Sequence, residues 1–94
     1  MTVGLLRVEL RIPQAHSLKE KRHVVRSLLD RLAARFNAAV AETGHQDAWS
    51  RAEVAVVVVS NDSRHANSML DTILDYIESR VDAEVADAEI QFLT

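Results

Sequence analysis

The chain of 94 residues has room for one domain with one core, and its 48% of apolar residues suffice to build it. It contains no cysteine, which excludes disulfides, thiolate metal sites and a cysteine nucleophile and fits a reducing compartment. The net charge of −3 argues against a generic polyanion binder but conceals an asymmetry: residues 7–36 hold eight Lys/Arg against three Asp/Glu, a local +5, whereas residues 37–94 hold three against eleven, a local −8.

From Val3 to Ile12 the apolar residues Leu6, Val8, Leu10 and Ile12 alternate with Arg7, Glu9 and Arg11, the period of two expected of a strand covered on one face. Pro13 has no amide hydrogen to give a ladder and ends the strand, and Ser17 followed by Glu20 spells a capping box. On a helical wheel Val25, Leu29, Leu32 and Phe36 fall within about 40° of Leu18, so a helix is expected from Leu18 to Phe36. After Asn37, the weak alternation of Ala38 to Thr43 around Val40 fits a peripheral or edge strand.

A polar connection from Gly44 to Ser50 leads into Ala52–Val59, a run dominated by Val and Ala on both faces, as in an interior strand. The N-cap candidates Ser60, Asn61, Asp62 and Ser63 open a second helix, in which Ala66, Met69, Leu70, Ile73, Tyr76 and Ile77 share one arc. Ala86, Ala88, Ile90 and Phe92 then alternate with polar residues as a closing strand.

Two βαβ units with right-handed crossovers imply an α+β single domain over residues 1–94. It is expected to be a ferredoxin-like βαββαβ plait, a four-stranded antiparallel sheet with both helices on one face and strands one and three central. The other face would show Val and Ala beside Arg7, Glu9 and Arg11, a dimer interface or ligand platform. A domain of this size buries only about 60% of the surface exposed by its unfolded chain, so stability is expected to be modest unless subunits pair. No segment approaches the roughly 20 apolar residues of a membrane span, nor does the start carry the apolar run of a signal peptide, so a cytoplasmic protein is expected.

The most unusual local feature is His16-Ser17-Leu18-Lys19-Glu20-Lys21-Arg22. Cations in the first turns of a helix oppose the positive end of its dipole at roughly 0.3–1 kcal/mol each, and such breaches of a local rule gather at functional sites. Free amides beside Lys19, Lys21 and Arg22 make an anion site, and Lys19, Arg22 and Arg26 lie within about 60° of one another, a ribbon able to follow one RNA backbone. The plainer reading is that Glu20 and other acids neutralise these charges and that Arg22 lays its stem over apolar surface.

A second cluster is His45-Gln46-Asp47-Ala48-Trp49. His45 and Asp47 would supply two metal ligands or an acid–base pair, and Trp49 a stacking platform; more simply, Trp49 plugs an end of the core and Asp47 caps a turn. His16, His23 and His65 show no zinc-ligand spacing, and with Gly4 and Gly44 alone there is no glycine-rich phosphate loop, so neither a metal nor a cofactor is expected. Helix capping accounts for Ser60–Ser63. One Tyr and two Phe do not furnish the paired aromatics of an RNA-stacking sheet, so phosphates must dominate if RNA is bound.

The stretches Val3–Pro13, Ser17-Leu18-Lys19-Glu20-Lys21-Arg22, Arg35-Phe36-Asn37, Val40-Ala41-Glu42, His45-Gln46-Asp47 and Val59-Ser60-Asn61-Asp62 together resemble the YlxP-like bacterial proteins, a domain of unknown function. The resemblance covers essentially the whole chain, with Ser-Leu-Lys-Glu-Lys-Arg and Ser-Asn-Asp its most specific parts. It implies a ferredoxin-like fold. Members are often encoded beside transcription-elongation, translation-initiation and ribosome-binding-factor genes, which implies a role in ribosome maturation by association. The family offers no established catalytic residues to carry over, but its signature coincides with Ser17, Lys19, Lys21 and Arg22 and with the His45–Asp47 loop.

The leading expectation is a non-catalytic RNA- or ribosome-associated factor that binds phosphates through Ser17, Lys19, Lys21, Arg22 and Arg26, with Arg7 and Arg11 extending the patch. The alternative is a homo-oligomeric regulatory or small-ligand module, such as a homodimer, paired through the open sheet face at Ala55, Val57 and Val59. An enzyme ranks last: acylphosphatases share the plait, but Pro13-Gln14-Ala15-His16 has neither the glycines nor the Arg of their phosphate loop.

Overall fold

The period-two alternation from Val3 to Ile12 is realised as a ten-residue strand, and the computed structural model, which describes residues 1–94, runs β1 (Thr2–Arg11), α1 (Leu18–Arg35), β2 (Ala39–Gly44), β3 (Arg51–Ser60), α2 (Ser63–Glu78) and β4 (Glu84–Phe92). All strand pairs are antiparallel in the order β2-β3-β1-β4, so the first and third strands are central, as the plait requires. This is the ferredoxin-like plait.

Parity along the strands sorts the side chains. Leu6, Val8 and Leu10 of β1 and Ala52, Val54, Val56 and Val58 of β3 point beneath the helices and are buried. The odd-numbered residues of both strands, from Val3 to Arg11 and from Arg51 to Val59, lie on the open face. α2 adds Ala66, Leu70, Ile73 and Ile77 to the core, and α1 adds Val25, Leu28 and Leu32. Gly4 permits this packing, because a Cβ there would stand 2.9 Å from Leu70 Cδ1.

Both helix starts are capped as their sequences direct. Ser17 Oγ accepts from Glu20 N at 3.1 Å while Glu20 Oε2 accepts from His16 N at 2.6 Å, and Asp62 Oδ1 accepts from Arg64 N at 2.9 Å. Three local expectations need correction. α1 ends at Arg35, with Phe36 as its C-cap in extended backbone, and the deepest α1 stripe runs through Leu28 instead of Leu29. β4 begins at Glu84, because a register shift against Glu9/Leu10 lets Val85 pair with Leu10 and leaves Ala86 as the extra residue. Trp49 does not plug the core; it is 56% exposed in the β2–β3 connection.

No helix is long and apolar enough to cross a membrane.

Candidate functional site: the two faces of helix α1

α1 is amphipathic in an unusual sense, because it carries positive charge on both faces. Its buried residues Lys21, Val25, Leu28 and Leu32 recur at i, i+4, i+7 and i+11, which is one helical stripe, and Lys21 is its first member. Lys21 is wholly inaccessible, at 0% exposure. Its Nζ donates to Glu42 Oε2 at 2.6 Å and to the His45 carbonyl at 2.9 Å. Glu42 reaches it because β2 places Val40 and Glu42 on the helix-facing side, Glu42 opposite the buried Val54.

Lys21 is therefore not part of an anion site. Its stem fills the core and its charge is consumed internally, as a buried ammonium requires. The contact also explains the His45 backbone. His45 is the one non-glycine residue with positive φ, at 60°, a left-handed conformation that ends β2 and presents its carbonyl to both Lys21 Nζ and Ala48 N.

The outer side of α1 is different. Lys19, Arg22 and Arg26 are exposed, and none takes part in an ion pair. Glu20, the acid expected to neutralise them, is engaged with the His16 amide in the capping box. Together with His23, the three cations border a shallow open depression of about 800 Å³ at the helix start. Ser17 is half-buried and serves as the cap, with its hydroxyl committed to Glu20 N.

Arg7 and Arg11 do not extend this ribbon, because both project from the opposite face of the sheet. Arg7 is also paired, through Nη1 to Glu53 Oε2 at 3.2 Å and Nη2 to Glu89 Oε2 at 2.8 Å. The Thr43 hydroxyl, and after it Arg7, hold the Glu53 carboxyl below the usual carboxylate range against the opposing effect of burial. Arg11 is exposed at the strand end, beside Arg51 and Glu84 in register.

The second cluster is dispersed too. The His45 ring meets Glu9 Oε1 at 3.0 Å, and the other Glu9 oxygen lies 3.8 Å from Arg51 Nη2. Asp47 is exposed and makes no hydrogen bond, so it neither pairs with His45 nor caps the turn, which is closed by Ala48 N donating to the His45 carbonyl. Sequence reasoning missed Glu42 and Glu9, the two carboxylates that organise Lys21 and His45. The signal for Glu42 was its spacing of two from Val40, which puts both on one strand face.

Comparison with known proteins agrees with this frame. The chain is similar to a solution NMR structure of a de novo designed protein with ferredoxin fold, with a TM-score of 0.52 at 17% identity, covering 98% of this chain and 83% of that one. It is 35% identical over 77 residues to the uncharacterized protein YlxP of Bacillus subtilis (strain 168), a match spanning 82% of this chain and 84% of that protein. A family model matches from residue 3 to residue 90, and the chain belongs to that family, the protein of unknown function DUF503.

Proposed function

We infer that the chain is a non-catalytic factor that binds RNA, free or within a ribosomal particle, through the outer side of α1, with Lys19, Arg22 and Arg26 contacting successive phosphates. The observation that carries this reading is that these three cations are exposed and unpaired in a chain whose net charge is −3. Acids are abundant elsewhere, and the inward Lys21 and the open-face Arg7 both have partners. Along the helix Arg22 and Arg26 are separated by about 6 Å of rise, close to the spacing of successive phosphates on one strand. Recognition of this kind is electrostatic and carries little base specificity.

The test is co-sedimentation of the purified protein with ribosomal particles at low and moderate salt, beside a Lys19→Glu/Arg22→Glu/Arg26→Glu variant. The reading expects the native protein to pellet with particles at low salt and to be released by salt or by charge reversal. Pelleting that ignores both, or no pelleting at any salt, contradicts it.

A further inference from the structure

The open face of the sheet is divided along the strands into two unlike halves. At the end where β1 begins and β3 finishes, cross-strand pairs place Val3 beside Val59 and Leu5 beside Val57, and β2 adds Ala39 next to Val57. With Ala55 these residues make a continuous apolar patch across β2, β3 and β1, bordered on β4 by Gln91 opposite Leu5, and Val59 is 61% exposed. The other half is ionic, and its central charges are closed within one molecule: Arg7 to Glu53 and Glu89, and Glu9 to His45 and Arg51.

We propose that this face is covered by a second copy of the same chain, two sheets packing face to face about a two-fold axis with apolar half against apolar half. Four features of the molecule select this occupant. The apolar half carries no aromatic side chain: Phe36 and Tyr76 pack on the helix side, Phe92 pairs with Gly4 on that same side, and Trp49 lies in the β2–β3 connection. A nucleic acid base or sugar thus finds nothing to stack on. The ion pairs around Arg7 and Glu9 are complete in one copy, so covering them leaves none of these groups unpaired, and the unpaired Arg11 and Asp87 lie toward the end away from the apolar half.

The β4 edge opposes self-association, since it carries Glu84, Asp87 and Glu89. A two-fold pair along that edge would set like charges against each other. Finally, strands of ten, six, ten and nine residues, about 4.8 Å apart and rising about 3.3 Å per residue, offer roughly 550 Å² per copy, or about 1,100 Å² in a pair. That area clears the roughly 1,000 Å² of a biological interface but falls short of the standard size, so the dimer should dissociate on dilution.

This inference does not rest on RNA binding, because α1 lies on the other side of the sheet. It is tested by sedimentation velocity of the full chain between about 1 and 200 μM, in buffer free of nucleic acid. The expected result is a mass rising from 10.5 kDa to twice that value. V59E should raise the dissociation constant on the order of 100-fold, whereas V81E, at a position 96% exposed outside the face, should leave it unchanged.

If V59E lost its helical circular dichroism, V59S, which shortens the same side chain without adding charge, should still weaken the dimer about tenfold. A mass of 10.5 kDa throughout the range, or a dimer indifferent to both Val59 variants, would overturn the proposal.

Discussion

Lys21 and Arg22 are neighbours in the chain with the same charge, and α1 gives them opposite tasks. The 100° step between successive helical residues carries Lys21 under the helix, where Glu42 and the His45 carbonyl hold its ammonium, and leaves Arg22 on the outside with no partner. A run of basic residues is therefore not a single feature. On the inner face a positive charge is a structural group that ties α1 to β2 and to the turn after it; on the outer face it is free to meet an anion from outside.

The sharpest way to break this comparison is to remove Lys21. Lys21→Ala leaves the Glu42 carboxylate facing an emptied cavity and should destabilise the fold by about 3–5 kcal/mol in urea unfolding. The double variant Lys21→Met/Glu42→Leu, which replaces the pair by apolar groups of similar size, should recover most of that loss. If Lys21→Ala were instead as stable as the native protein, the inner face would have no structural role.

Next in size is the cap from which both faces project. Ser17→Ala removes the acceptor for Glu20 N and should cost about 1 kcal/mol, measured by the same unfolding curves. On the outer face the stability effect should reverse sign. Lys19→Glu places an acid in the first turn of α1 and should stabilise the fold by about 0.3–1 kcal/mol while weakening RNA binding. A variant that gains stability and loses binding separates function from folding more cleanly than any destabilising change.

The smallest expected effect concerns acid. The Arg80 guanidinium grips Asp82 at 2.9 and 2.7 Å and holds its carboxyl below the usual range despite the opposing effect of burial. A depressed folded value means that the stabilisation is fully present above the unfolded pKa of about 3.9 and is lost as the pH falls through the folded value. Asp82→Asn should therefore lower stability near neutrality and flatten the acid limb of a pH series of unfolding midpoints, with no effect on RNA binding.

Much of this molecule was legible in its sequence because local and global signals agree. The alternation from Leu6 to Ile12, the capping box at Ser17 and Glu20 and the two-faced apolar run of β3 each have one physical interpretation, and together they admit one topology. Lys21 escaped because residue type was weighed above position. It lies about 60° from Leu18, inside the arc that contains Leu28, and its charge hid its place on the core stripe. Glu42, its partner, is 21 residues away, and no local pattern announces a pair formed by packing a helix on an edge strand.

Arg7 and Arg11 were misplaced for a related reason. Their parity with Glu9 put them on the open face, opposite the helices, and only a sum of charges along the chain grouped them with α1. Trp49 does not plug the end of the core, which is closed without it by Ile12, Val25 and Ala52 among others. The extra residue at Ala86 left no trace in the alternation, since a bulge is fixed by the partner strand.

The central claim, that the outer cations of α1 bind RNA phosphates while Lys21 holds the fold, is tested most directly by titrating a fluorescent single-stranded RNA with the native protein and with R22E/R26E across a series of salt concentrations. Three phosphate contacts predict a plot of log affinity against log salt with a slope of about −2 for the native protein, and near-complete loss of binding by the folded variant. Binding of equal strength and equal slope in both, or no binding by the native protein at low salt, would contradict the account.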